Sequence, residues 1–124
     1  MTIKHLVLAG GGPSLFQTLG ILHGLEKKSY WNIDDIISIY GTSSGSIVAT
    51  AIALRIEWDM LLKYFVDRPW HEAFPITTTN LFDAYGKKGI FGKEVIQKTF
   101  LPLFNTKDIP IDVTMSQFYE KTNV

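Results

Sequence analysis

Residues 41–45, Gly-Thr-Ser-Ser-Gly, place Ser43 between two glycines at the spacing G-x-S-x-G. A serine hydroxyl attacks a carbonyl only when a base takes its proton and something holds the oxyanion that follows. A sharp strand-to-helix turn meets the second need. It lifts the hydroxyl clear of the sheet and sets it at a helix N-terminus, where unpaired N–H groups and the helix dipole favour negative charge. The flanks suit such a nucleophile elbow. Before it, Asp35-Ile36-Ile37-Ser38-Ile39-Tyr40 is short, β-branched and mostly apolar, which predicts a buried strand. After it, residues 46–54 are apolar for long enough to form a buried helix. Gly41 and Gly45 give the doubled-back chain room, and Thr42 completes the turn. The plainer alternative is a Gly/Ser turn that does no more than cap a helix.

A second run, Gly10-Gly11-Gly12, follows the apolar residues 3–9 directly. Glycines after a strand let backbone N–H groups approach an anion. A dinucleotide fingerprint needs G-x-G-x-x-G, and the third glycine position is Leu15, although Asp34 or Asp35 stands where a ribose acid would. A Walker A loop needs G-K-[ST], which is absent. The remaining reading is an oxyanion hole around Gly10, with the N–H groups of Gly11 and Gly12 as donors and that of Ser44 as the complement. Pro13 has no N–H to give.

These two turns need elements to hold them. Residues 3–9 predict a first strand. Leu15, Leu19, Leu22 and Leu25, with Phe16 and Ile21 beside them, predict a helix to about residue 28, with Pro13 suited to its first turn. Strand, helix and strand make a βαβ unit, so the sheet is expected to be parallel with both glycine turns at its C-terminal edge. Met60, Leu61, Tyr64 and Phe65 predict a helix over 57–67 that ends before Pro69. Trp58, Tyr64, Phe65, Trp70 and Phe74 suggest an aromatic cluster, as core or as lining for an acyl chain. Residues 75–92 are polar and glycine-punctuated, the pattern of a long loop, with Lys87 and Lys88 inside it. Residues 92–104 predict an amphipathic helix disturbed near Pro102, and Thr114 with Gln117 offers a capping box before a short helix over 116–121.

Composition narrows the classes. The chain has 124 residues, 46% apolar and 19% charged, which fits one small globular domain. Twelve basic side chains balance twelve acidic ones, so nothing points to nucleic acid. Cysteine is absent, which excludes disulfides and thiolate metal sites. His71-Glu72 begins like a zinc H-E-x-x-H motif, but position 75 is proline. His5, His23 and His71 carry no serine-and-carboxylate pattern around them. Residues 1–9 are too short a run for a signal peptide, and residues 47–54 fall far below a membrane span. A soluble, intracellular protein is expected, with peripheral membrane contact left open.

Together, Gly10-Gly11-Gly12 after a strand, Leu19-Gly20-Ile21-Leu22 and Leu25-Glu26 in the helix, and Gly41-Thr42-Ser43-Ser44-Gly45-Ser46 resemble the patatin-like phospholipase family over residues 3–54. Two positions depart: Ser14 stands where the family usually has Arg or Lys, and Leu15 where it has Gly. The backbone donors do not depend on either. The resemblance implies a three-layer α/β/α fold, of which residues 1–124 would be the N-terminal portion of a single, truncated domain. It implies a serine lipid acyl hydrolase with Ser43 as nucleophile, a glycerolipid or other acyl ester as substrate, and neither metal nor cofactor. The family pairs its serine with an aspartate in a D-G-[GA] motif. Asp34, Asp35, Asp59, Asp67, Asp83, Asp108 and Asp112 all lack that setting. The aspartate-bearing half is therefore expected to be missing, and the incomplete sheet to favour self-association. The alternative is a non-catalytic remnant of the fold that binds lipid or a protein partner.

Overall fold

The computed structural model describes residues 2–73, 84, 86 and 92–124. The protein is mixed α/β and mostly helical. Its elements are β1 (His5–Leu8), a 3₁₀ turn (Gly12–Ser14), α1 (Leu15–Lys27), a second 3₁₀ turn (Ile33–Asp35), β2 (Ser38–Gly41), α2 (Ser44–Ala53), α3 (Trp58–Asp67), α4 (Trp70–Ala73), α5 (Lys93–Asn105) and α6 (Met115–Thr122). The chain divides into two compact units, Met1–Val66 with Val113–Val124, and Asp67–Asp112.

The first unit carries the expected βαβ motif. β1 and β2 pair in parallel, with His5 opposite Ser38 and Leu8 opposite Gly41. Helix α2 packs against both strands and against α1. Leu6, Leu8, Leu19, Leu22, Val48, Ala51 and Ile52 are buried and form the apolar centre. The driving force is their removal from water, about 25 cal/mol per Å² of apolar surface. Trp31 closes the connection between α1 and β2, because its indole Nε1–H donates to the Leu22 carbonyl at 2.9 Å inside the core. In α6, Thr114 and Gln117 form the reciprocal capping box that their spacing predicts.

Three expectations change. The second strand begins at Ser38 rather than Asp35. The Asn32 side chain accepts from the Asp34 N–H and starts a 3₁₀ turn there, so a local side-chain bond overrides the β-branched run. In α1 only Leu19 and Leu22 are buried, while Phe16, Ile21 and Leu25 stay exposed. The three-layer arrangement is not formed by the described residues. Leu6 and Leu8 are covered, but Val7 (80% exposed) and its partner Tyr40 (61%) face outward.

In the second unit, α5 continues through Pro102, the residue expected to disturb it, as far as Asn105. Proline cannot donate to the carbonyl four residues back, which here belongs to Lys98. The Arg68 guanidinium fills the gap, donating Nη2–H to the Lys98 carbonyl at 2.8 Å. Thr99, Leu103, Phe104 and Ile109 are buried. Of the expected aromatic cluster, Trp58 lies beside His23 and Trp31, Tyr64 meets Phe65 edge to face, and Arg68 sits over Trp70. Phe74, Lys87, Lys88 and most of the predicted loop lie outside the described residues.

Candidate functional site

The two glycine turns meet at one edge of the sheet. β2 hands the chain to Thr42, whose N–H still donates to the Leu8 carbonyl at 3.1 Å. Helix α2 starts two residues later. A turn this tight forces backbone onto backbone. A Cβ on Gly45 would sit 2.4 Å from the Leu8 oxygen and 2.7 Å from that of Ala9. One on Gly41 would sit 2.6 Å from the Gly45 oxygen and 2.6 Å from the Ser46 Cα. Real side chains do not tolerate such approaches, so both glycines of the motif are sterically required.

Ser43 is the apex. Its backbone lies at φ 52°, ψ −127°, a region that residues with a Cβ rarely enter. It is the N-cap residue of α2, yet its side chain makes no capping hydrogen bond. An ordinary N-cap serine has extended φ and turns its oxygen back onto the helix N–H groups. Ser43 does neither, and its side chain is exposed. The turn is pinned through its carbonyl instead, which accepts from the Ser46 N–H at 2.9 Å and the Ser46 hydroxyl at 2.5 Å. The first turn of α2 holds no acidic residue to oppose an incoming negative charge.

The glycine loop lies against this serine. An ideal Cβ on Gly10 would be 2.8 Å from Ser43 Cβ and 3.5 Å from Ser43 Oγ. Gly12 has φ +55°, the left-handed conformation that favours glycine. The structure therefore brings Gly10, Gly41, Thr42, Ser43, Ser44 and Gly45 together. The donors divide. The Gly11 N–H is engaged by Ser44 Oγ at 3.1 Å. The N–H groups of Gly12 and Ser44 have no protein acceptor among the described residues. Sequence reasoning missed two hydroxyls here, Ser44 Oγ and Ser46 Oγ. The signal was the serine-rich run 43–46, in which every hydroxyl but that of Ser43 is used to brace backbone.

Within the first unit, neither His5 nor His23 reaches Ser43. His5 Nδ1 is 2.8 Å from Ser38 Oγ at the start of the strands, three residues before the Leu8–Gly41 pair, or roughly 10 Å away at strand spacing. His23 stacks on Trp58, and His71 pairs with Glu72 at 4.0 Å. Asp34 binds Arg55. A pocket of about 290 Å³, lined by residues that include Trp31, Ile52, Arg55 and Trp58, opens at the C-terminal end of α2. A ten-residue helix is ~15 Å long, so this pocket lies well away from Ser43. Among the described residues no cluster of metal-ligating side chains occurs, and no helix is long and apolar enough to cross a membrane.

No protein-family model matches the chain. No solved structure matches it either. Over 125 aligned residues, 96% of the chain, it is 30% identical to a protein of Invertebrate iridescent virus 6 named "Probable lipid hydrolase 463L". The chain spans 40% of the length of that relative.

Proposed function

We propose that this chain carries the nucleophile and oxyanion donors of a serine lipid acyl hydrolase of patatin-like type. The observation that carries the reading is Ser43 itself: an exposed N-cap serine, held in strained backbone, that does not cap its helix. Ser43 Oγ would attack the carbonyl carbon of an acyl ester, passing its proton to a carboxylate. The N–H groups of Gly12 and Ser44, beside Gly10 and the braced Gly11, would hold the oxyanion. Collapse breaks the ester C–O bond, and the alcohol leaves with that proton. Water, deprotonated by the same carboxylate, then releases the acid and frees Ser43. The base is an aspartate in a D-G-[GA] setting, which these 124 residues do not contain. The similarity to a viral protein named for lipid hydrolysis supports a lipid ester as substrate.

A fluorophosphonate probe tests the reading. With a D-G-[GA] segment supplied in cis or as a second chain, Ser43 is expected to be labelled, Ser43→Ala to lose the label, and Ser44→Ala to keep it. Equal labelling of Ser43→Ala refutes the assignment. Without that segment, nitrophenyl ester hydrolysis is expected to be no faster than for Ser43→Ala, since losing one member of a catalytic unit costs ~10⁴–10⁶ in rate.

A further inference from the structure

We propose that Ser44 is a positioning residue, whose buried hydroxyl anchors the glycine loop to α2 and thereby decides which backbone donors face the oxyanion. The anchoring stands on geometry alone; its catalytic consequence rests on Ser43 being the nucleophile.

The two partners are far apart in sequence and meet only because the strands are in register. β1 stops pairing at Leu8, opposite Gly41. Beyond it the loop 10–12 has lost its strand neighbour. Its only hydrogen bond to α2 among the described residues is Gly11 N–H to Ser44 Oγ, at 3.1 Å. Ser44 is 7% exposed, so bulk water cannot readily take the place of its oxygen. Gly45, the next residue, is wedged under the Leu8 and Ala9 carbonyls, which fixes where Ser44 stands relative to β1. The Gly11 N–H is therefore the tether, and Gly12 and Ser44 are the donors left to serve the reaction. Ser44 acts through both of its ends: the N–H faces the open N-terminus of α2, and the hydroxyl sets the opposite wall. A nucleophile alone would not need a hydroxyl at position 44, and an alanine there would keep the N–H.

The test uses the full ¹⁵N-labelled chain. Ser44→Ala is expected to shift the Gly11 amide resonance and speed its hydrogen exchange by about tenfold, as the loss of one ordinary hydrogen bond would. Ser46→Ala, which removes a hydroxyl one position from Gly45 but bonded to the Ser43 carbonyl, is expected to leave Gly11 unchanged. A Gly11 amide that ignores Ser44→Ala overturns the proposal. The catalytic consequence is read from phosphonate inactivation in the presence of the D-G-[GA] segment. Ser44→Ala is expected to lower the maximal inactivation rate by about tenfold with an unchanged half-saturating probe concentration, because the donor geometry and not probe binding is altered. An unchanged maximal rate overturns that part. A responsive Gly11 without any adduct on Ser43 would remove the proposed function and leave the tether. An adduct on Ser43 with an unresponsive Gly11 would remove the tether alone.

Discussion

Gly45→Ala sets helix propensity against sterics at a single site. Alanine in place of glycine inside a helix favours folding by about 1 kcal/mol. At Gly45 the new methyl would lie 2.4 Å from the Leu8 oxygen, 2.7 Å from the Ala9 oxygen and 2.8 Å from the Leu8 carbonyl carbon. Optimal contacts of this kind fall near ~3.5 Å, so α2 would have to move away from β1 by about 1 Å. The obstructing atoms are backbone and cannot rotate aside. Overpacking of a tight interior costs about 1–3 kcal/mol, and a clash with two carbonyls belongs at the upper end. The net expectation is a loss of about 2 kcal/mol. Gly20→Ala is the matched control. It lies within α1 and an added Cβ meets nothing within 4 Å, so propensity acts alone and stability should rise by about 1 kcal/mol. Urea unfolding followed by circular dichroism reads both. Gly45→Ala at or above wild-type stability, with Gly20→Ala behaving as expected, would refute the claim that α2 is wedged under β1.

Ser43→Gly should raise stability by about 1–2 kcal/mol, since glycine accepts positive φ without the strain that serine bears there, while abolishing phosphonate labelling; a less stable Ser43→Gly in the same urea assay would contradict the strain. Gly10→Ala should slow labelling more than Gly12→Ala, because its methyl would strike Ser43 Cβ at 2.8 Å whereas that of Gly12 meets open space and only strains φ. The reverse order in labelling kinetics would place the donors elsewhere. Thr114→Ala should cost about 1 kcal/mol by removing the capping box of α6, seen as faster amide exchange at Gln117, with no change at Gly11.

The tight turn around Ser43 was more legible in the sequence than the elements around it, and for a physical reason. Gly41, Ser43 and Gly45 are constrained by contacts within five residues of each other or with the adjoining strand, so their types alone constrain the turn. The second strand was less legible because Asp35-Ile36-Ile37 has β-branched composition, while Asn32 offers a local hydrogen bond to the Asp34 N–H that composition does not weigh. The course of α5 through Pro102 depended on Arg68, thirty residues before Lys98, and no local pattern announces such a partner. The expectation of Gly11 as an oxyanion donor rests on chain order, which does not reveal that the side chain of Ser44, the residue after Ser43, takes its N–H. Backbone donors look alike in sequence; only packing distinguishes one that braces from one that is free.

The geometry of Ser43 also bears on the base that the proposed nucleophile would need. An ordinary N-cap serine would contribute about 1 kcal/mol to α2, and positive φ at a residue with a Cβ costs about 1–3 kcal/mol. Ser43 forgoes the first and bears the second, roughly 2–4 kcal/mol in a domain whose total stability is of order 5–15 kcal/mol. A turn with glycine at 43 would hold the same strand-to-helix connection without that burden. The proposed role of Ser43 as nucleophile accounts for that burden at the sheet edge, where its side chain lies beside Gly10. Under that proposal a base would approach from the C-terminal edge. His5 and Asp34 are held at the other end of the strands by Ser38 and Arg55, and His23 by Trp58. Moving His5 to Ser43 would require the parallel register of β1 and β2 to fail, and moving Asp34 or His23 would break its contact with Arg55 or Trp58. For the proposed nucleophile, a carboxylate placed next to the C-terminal ends of the strands would reach Ser43 without such a rearrangement.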